Sequence, residues 1–198
     1  MPLTSPVLRP RPPAGLDWLH EVKFDGFRIQ LHKAGGEVCL YSRKDKNITD
    51  RFTSIRDAVL CLPARSAVID GELVAGDTDG KPDFFALMHR RTDGLCIWGF
   101  DLLGLNGCDL RTRPLTTRKD KLRDLLIAAD DHTLRFSESF EDPEKLLAVA
   151  DQMGLEGIVS KKRMAPYAAG SRSGWIKVKA ATWRAANHER YKLFERAS

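Results

Sequence analysis

Five short stretches of the 198-residue chain put charged side chains inside apolar, strand-like runs: "EVKFDGFR", "SRKD", "IDGEL", "LEGIVSKK" and "WIKVK". Charges in strands cost stability unless a partner or solvent compensates them. In the first, strand alternation sets Trp18, His20, Val22 and Phe24 on one face and Leu19, Glu21, Lys23 and Asp25 on the other, so a lysine sits between two acids on a shared face. In the last, Ile176 and Val178 face a core, which leaves Trp175, Lys177 and Lys179 together on the opposite side. Two lysines side by side repel, so either they lie on a solvated outer face or a polyanion lies across them. "IDGEL" poses the inverse problem, with Asp70 and Glu72 on one face; a metal, a ribose hydroxyl or surface exposure would each compensate them.

The elements that position these residues follow from punctuation and periodicity. Half of the ten prolines fall in the first thirteen residues, which predicts an extended arm over 1–15. From Trp18 a strand leads to a turn at Asp25-Gly26, a second strand with Phe27, Ile29 and Leu31 alternating, and a third after Gly35-Gly36, which together predict an antiparallel meander. "ITDRFTSIRDAVLCLP" predicts an amphipathic helix capped by Thr49 or Asp50, with Phe52, Ile55, Val59 and Leu62 apolar and Pro63 at its stop. Next come a strand in "AVIDGELVA", a polar turn in "GDTDGKP", a short helix in "DFFALMHR" and a strand in "LCIWGFDLLGL". A helix from Leu115 to about Ala129 buries Leu122, Leu125 and Leu126, and another in "DPEKLLAVADQMG" has Asp142 as cap, Pro143 in its first turn and Gly154 at its stop. Strands in "GIVSKK" and "WIKVK" follow. The tail 181–198 reads as a basic amphipathic helix with Trp183, Tyr191 and Phe194 along one side. The sum is one α+β domain over 16–180, with mainly antiparallel sheets flanked by helices.

A net charge of +5 and a pI near 9.1 favour an anionic partner such as nucleic acid, nucleotide or a membrane surface. The apolar runs are too short for a membrane span, and the N-terminus has no continuous apolar stretch, so the expected location is the cytosol, with no membrane partner. Cys39, Cys61, Cys96 and Cys108 form no CxxC pair and have no histidine at metal-ligand spacing, which predicts buried free thiols.

In this order the stretches resemble the nucleotidyltransferase motifs of ATP-dependent DNA ligases, most closely those of the ligase domain of the bacterial end-joining ligase D family. The motif KxDGxR stands as Lys23-Phe24-Asp25-Gly26-Phe27-Arg28, followed by "YSRKD", "IDGEL", "WGFDLL", "LEGIVSKK" and "WIKVK". One such match carries little weight, whereas six in order at plausible spacing are specific. The resemblance implies an ATP-grasp-like adenylation domain. In it Lys23 attacks the α-phosphate of ATP to form lysyl-AMP, and AMP then passes to a 5′-phosphate of nicked double-stranded DNA. Attack needs a neutral amine, and a free lysine has a pKa of about 10.4. Lys177, Lys179, Arg28, Arg43 and a divalent cation, Mg²⁺ or Mn²⁺, would favour deprotonation, while Glu21 and Asp25 oppose it.

The same resemblance puts Glu21 near the adenine amino group, Phe100 stacked on the base, and Arg28 and Arg43 near ribose or phosphate. It puts Glu72 near ribose or metal, Glu156 on the metal, and Lys177 and Lys179 on the α-phosphate. An OB-fold follows the last motif in the family. Only 18 residues follow "WIKVKA" here, so no OB-fold is expected within the chain, and the tail reads as a completed helix of a natural minimal protein. Nick sealing would then be weak without a separate OB-fold or end-joining repair protein. "SRKD" departs from the family at Lys44. Two other readings stay open: an RNA ligase or capping-type nucleotidyltransferase, and a non-catalytic DNA-binding module of the same fold.

Overall fold

The computed structural model describes residues 2–75, 94–170 and 174–187. The "GDTDGKP" turn, the "DFFALMHR" helix, Tyr191 and Phe194 lie outside the described residues. The strands are β1 (Val7–Leu8), β2 (Trp18–Lys23), β3 (Phe27–Ala34), β4 (Glu37–Ser42), β5 (Ser66–Ala75), β6 (Leu95–Leu105), β7 (Cys108–Asp109), β8 (Leu134–Phe136), β9 (Gly157–Lys162) and β10 (Trp175–Lys179). They form two sheets, one ordered β1-β10-β9-β2 and the other β4-β3-β5-β6-β7, with β8 parallel to β6. Apart from β1 on β10 and β8 on β6, the pairings are antiparallel, which gives the α+β architecture with mainly antiparallel sheets.

The expected meander breaks at Asp25-Gly26. β3 and β4 pair as a hairpin, but β2 and β3 belong to different sheets: β2 pairs with β9, and β3 lies between β4 and β5. The chain crosses at Gly26, where a Cβ would sit 2.2 Å from the Leu73 carbonyl oxygen, so only glycine fits against β5. Turn residues announce a change of direction without saying which strand comes next.

The N-terminal segment is extended, but it is also sheet. Val7 and Leu8 pair with Ile176 and Lys177, and the Ser5 and Arg9 amides donate to the Gly170 and Lys177 carbonyls at 2.9 and 3.0 Å. Its prolines are tolerated because the strand is an edge, where missing amide donors cost little.

Helix α1 (Thr53–Leu60) buries Ile55, Ala58 and Val59 but starts later than expected. A 3₁₀ turn occupies Thr49–Arg51, and Phe52 caps α1 without a side-chain bond. Thr49 is committed elsewhere, its hydroxyl accepting from the Leu40 amide at 2.9 Å and donating to Asn47 at 2.6 Å. Helices α2 (Leu115–Ala129) and α3 (Pro143–Gln152) match their expected bounds, and Asp142 caps α3 by accepting from the Lys145 amide at 2.9 Å. A short α4 (Ala181–Ala186) buries Trp183. Of the cysteines, Cys96 is buried and Cys39 half-buried, but Cys61 and Cys108 are exposed, against the expectation that all are buried; α1 ends at Leu60 and β7 lies at a sheet edge.

Each sheet has its own apolar core. The larger, with Ile29, Leu40, Ile55, Leu73, Leu102 and Leu122, lies between the six-stranded sheet and helices α1 and α2; the smaller joins α3 to β9 and β10 through Leu146, Ala150, Ile158 and Val178. A charged cluster centred on Glu21 links the four-stranded sheet to α2 and the segment after β8. Glu21 on β2, 2% exposed, pairs with Lys161 on β9 at 2.8 Å and with Lys119 on α2 at 2.9 Å, and accepts from the Ser137 hydroxyl at 3.0 Å. Lys119 also donates to the Ser137 carbonyl, and Arg118 beside it holds buried Asp101 through Nε and Nη2 at 2.7 and 2.9 Å. Burial alone would raise the Glu21 pKa, but the Lys119 and Lys161 charges outweigh it and hold the carboxyl below its ordinary value near 4.5.

Glu21→Gln leaves two buried ammonium groups uncompensated and is expected to destabilise the fold by about 3–5 kcal/mol at pH 7 in urea unfolding. The native pKa of Glu21 is depressed, so its stabilisation is complete above pH 4.5 and is lost as pH falls through the native value. The gap between variant and parent should therefore narrow below pH 4.5; a gap independent of pH would contradict the ionic role.

Candidate active site

A cleft of about 660 Å³ opens between the two sheets, within the usual size for a small-molecule site. Its deep end is aromatic and cationic. Phe100 on β6 meets Trp175 on β10 edge-on, with ring centroids 5.8 Å apart. The Lys161 ammonium lies 4.5 Å from the Phe100 centroid and 4.2 Å from that of Trp175, and the Arg28 guanidinium is 5.3 and 5.6 Å from the same rings. Burial pushes the Lys161 pKa down to about 8, with Lys119 adding to the shift and Glu21 opposing it.

The phosphate-sized end is built at the meeting of β2, β9 and β10. Lys23 closes β2 opposite Gly157, and Glu156 precedes that glycine. At Gly157 φ is +144° and a Cβ would stand 2.1 Å from the Val178 carbonyl oxygen, so glycine alone lets β9 begin this close to β10. The approach brings Glu156 Oε2 to 2.5 Å from Lys23 Nζ and Oε1 to 3.3 Å from Lys179 Nζ. Lys177 stands between them in sequence on the same strand face, and Arg43 lines the exposed rim. Burial lowers the pKa of Lys177, helped by the charges of Lys23 and Arg43 and opposed by Glu156. Lys179 is lowered by burial too, with Glu156 opposing and Lys23 and Lys177 adding.

Two carboxylates of the "IDGEL" strand behave differently. Asp70 is fully buried and already compensated: it takes the Arg28 fork at 3.0 and 2.7 Å and the Tyr167 hydroxyl at 2.6 Å. Glu72, opposite Arg28 in register, lines the cleft and makes no ion pair among the described residues. Burial raises its pKa to about 7, opposed by Lys23 and Arg28 and reinforced by Glu156 and Asp70. No cluster of three or more metal-ligating side chains occurs among the described residues.

Glu21, Lys23, Arg28, Arg43, Glu72, Phe100, Glu156 and Lys177 all line this one cleft, and Lys179 joins it through Glu156. The lysines of "WIKVK" face a concave site and not an open outer surface. Arg28 is more occupied than expected: besides Asp70 it donates to the Thr4 carbonyl at 2.6 Å and the Thr4 hydroxyl at 2.7 Å. Lys161, Asp70 as an arginine partner, Tyr167 and Thr4 were not anticipated. Alternation along "GIVSKK" sets Lys161 on the face of Gly157 and could have indicated it. Thr4 and Tyr167 lie in segments without periodicity and gave no signal.

Residues 14–179 match the ATP dependent DNA ligase domain family. The multifunctional non-homologous end joining protein LigD of Pseudomonas aeruginosa is 37% identical over 174 residues, covering 85% of this chain and 21% of that protein. A probable DNA ligase of Beutenbergia cavernae is 40% identical over 174 residues, covering 80% of this chain and 33% of its own length. The chain thus spans about a fifth to a third of these curated relatives. Among solved structures, the ligase domain of M. tuberculosis LigD superposes with a TM-score of 0.73 at 26% identity, over 89% of this chain and 60% of that one. A mycobacterial DNA ligase D complexed with ATP and MES gives 0.70 at 27% identity, over 88% and 60%. Motif order, the two-sheet cleft and these matches agree: the chain belongs to the ATP-dependent DNA ligase domain family and has the fold of its adenylation domain.

Proposed function

We propose that the cleft binds ATP and that Lys23 Nζ attacks its α-phosphate. A P–N bond forms, the bond from the α-phosphorus to the bridging oxygen breaks, and pyrophosphate leaves with the electron pair while Nζ loses a proton. The AMP is then transferred to the 5′-phosphate of a nick in double-stranded DNA. The observation that carries this reading is the juxtaposition of Lys23, Glu156 and Lys179 beside Lys177 at one end of a cleft whose other end is aromatic. Glu156 holds the Lys23 amine in place, and Lys177 and Lys179 stabilise the charge that develops on the phosphoryl oxygens. A triphosphate would also offset the burial, and the like-charge repulsion added to it, that lower both lysines.

At the deep end, Phe100 offers a ring for adenine. Glu21 Oε1 meets Lys119 as an ion pair but accepts no well-formed hydrogen bond, which leaves an acceptor for the exocyclic amine. Arg28 and Arg43 address the ribose and phosphates. A divalent cation, Mg²⁺ or Mn²⁺, would be held by Glu72 and Glu156 and would supply charge neutralisation on the phosphates. Glu72, without an ion pair among the described residues, suits a hard cation that takes one or two carboxylates and keeps its waters. The end joining protein among the relatives supports action at DNA breaks alongside a repair protein. No helix among the described residues is long and apolar enough to cross a membrane; action on DNA, as the bacterial relatives' names indicate for them, supports a place in the bacterial cytosol at the nucleoid.

Incubated with ATP and Mg²⁺, the native chain should gain the mass of one AMP by intact mass spectrometry, and Lys23→Ala should gain none while unfolding at the parental temperature. Labelling of Lys23→Ala would refute the nucleophile. Lys177→Ala should slow lysyl-AMP formation by about 10²–10³-fold in single-turnover quench flow. Its Tm without nucleotide should be unchanged or higher, because a charge disfavoured by burial has been removed. A parental rate in that variant would remove Lys177 from the phosphate site.

A further inference from the structure

We propose that Thr4 is a positioning residue of the nucleotide site: the N-terminal edge segment fixes the Arg28 guanidinium so that its last unspent N–H meets a ribose hydroxyl of bound ATP. The inference rests on the adenylation reading above and adds a part of the site that lies outside the six motifs.

The argument starts from the donors of Arg28. Asp70 takes Nε at 3.0 Å and Nη2 at 2.7 Å, which fixes one edge of the guanidinium plane. Thr4 takes the other edge, its carbonyl accepting from Nη1 at 2.6 Å and its hydroxyl oxygen from Nη2 at 2.7 Å. These bonds leave a single N–H, on Nη1. Thr4 is itself held. It is 1% exposed, its amide donates to the Tyr167 hydroxyl at 3.4 Å, and that hydroxyl donates to Asp70 Oδ2 at 2.6 Å, which closes a ring of four residues. On either side the chain is anchored by Gly170 N–H to the Leu3 carbonyl at 3.0 Å and Arg9 N–H to the Lys177 carbonyl at 3.0 Å. Thr4, Ser5 and Pro6 line the cleft directly. Arg28 stands against Phe100 and Trp175 and opposite Glu72, between the aromatic floor and the lysines, at the level of the sugar in a nucleotide whose base stacks on Phe100 and whose phosphates reach Lys23.

A bidentate carboxylate alone lets a guanidinium rock about the axis joining the two groups. The second pair of acceptors from Thr4 removes that freedom, so loss of the hydroxyl should weaken ribose recognition before it affects the chemistry at phosphorus. ATP binding is therefore measured by titration calorimetry in the Lys23→Ala background, where no turnover occurs, with Thr4→Val, which keeps shape and backbone carbonyl, and Thr4→Ser, which restores the hydroxyl. Thr4→Val should bind ATP about tenfold more weakly, the loss of one hydrogen bond to a charged group. Its preference for ATP over 2′-deoxy- or 3′-deoxy-ATP should shrink by the same factor, and Thr4→Ser should recover both. A Thr4→Val that keeps parental affinity and sugar preference while losing only Tm would overturn the inference and leave adenylation intact. Failure of the Thr4-unaltered chain to bind ATP would overturn both. Should Thr4→Val fail to fold, Thr4→Ala against Thr4→Ser makes the same comparison.

Discussion

The buried Glu21 carboxylate between Lys119 and Lys161 is the contact on which the rest of the arrangement depends. Each sheet is complete as an apolar object, with helices covering one face. What remains is to hold the two uncovered faces at a distance that leaves a cleft, and an apolar interface would close it. Glu21 reaches Lys119 on α2, in the layer of the larger sheet, at 2.9 Å and holds Lys161 on the neighbouring strand β9 at 2.8 Å, a link with direction because carboxylate and ammonium must meet at defined angles. The pairs Arg118–Asp101 and Arg28–Asp70 lie within the larger sheet and its covering helix, where they fix side chains on β6 and β3. Buried pairs add little net stability when set against desolvation. Their worth here is geometric: Glu21 lies two residues before Lys23 on the same strand face, so the interaction that spaces the sheets also aims the amine.

The cleft itself is left electrostatically incomplete. Glu156 bridges Lys23 and Lys179 beside Lys177 and Arg43, while Glu72 makes no ion pair among the described residues and burial raises its pKa to about 7. Lowered lysines and a raised glutamate in one cavity mean that the folded protein holds both signs of charge under strain. The proposed triphosphate would answer the lysines, and the proposed divalent cation would answer the carboxylate. Asp101 in its pair with Arg118 is shifted as well, so it is shifted groups together with an open cleft that mark the site.

Much of this was legible in the sequence, for a specific reason. Charges at period 2 inside apolar runs marked "EVKFD", "IDGEL" and "WIKVK" as faces in need of solvent or a ligand, and only the order of the motifs chose between these; helices α2 and α3 announced themselves by periodicity and by the Asp142-Pro143 cap. What escaped was pairing. The Asp25-Gly26 step looks like any hairpin turn, and whether the next strand folds back or crosses to another sheet depends on contacts with Leu73 far along the chain. The N-terminal segment escaped for a similar reason: five prolines in thirteen residues signal extended backbone, and extended backbone becomes a strand only where an edge is available to receive it. Thr4 therefore carried no local sign of its position beside Arg28.

The three acid-glycine pairs tie motif to architecture. Asp25-Gly26, Asp70-Gly71 and Glu156-Gly157 each place a carboxylate next to a residue whose added Cβ would meet a neighbouring strand: at 2.2 Å from Leu73 O, at 3.0 Å from Trp98 O, and at 2.1 Å from Val178 O. Close backbone approach is what each glycine provides, and the acid beside it is thereby carried to a point where two strands nearly touch. At Asp70 that point is the partner of Arg28, and at Glu156 it is the junction of Lys23 with Lys179. A carboxylate set there can span two elements with a short side chain, which a longer strand separation would forbid. The glycine and the acid thus act as one unit, backbone contact supplying the position and charge supplying the link. That is why spacing within these motifs, more than composition, reports the fold.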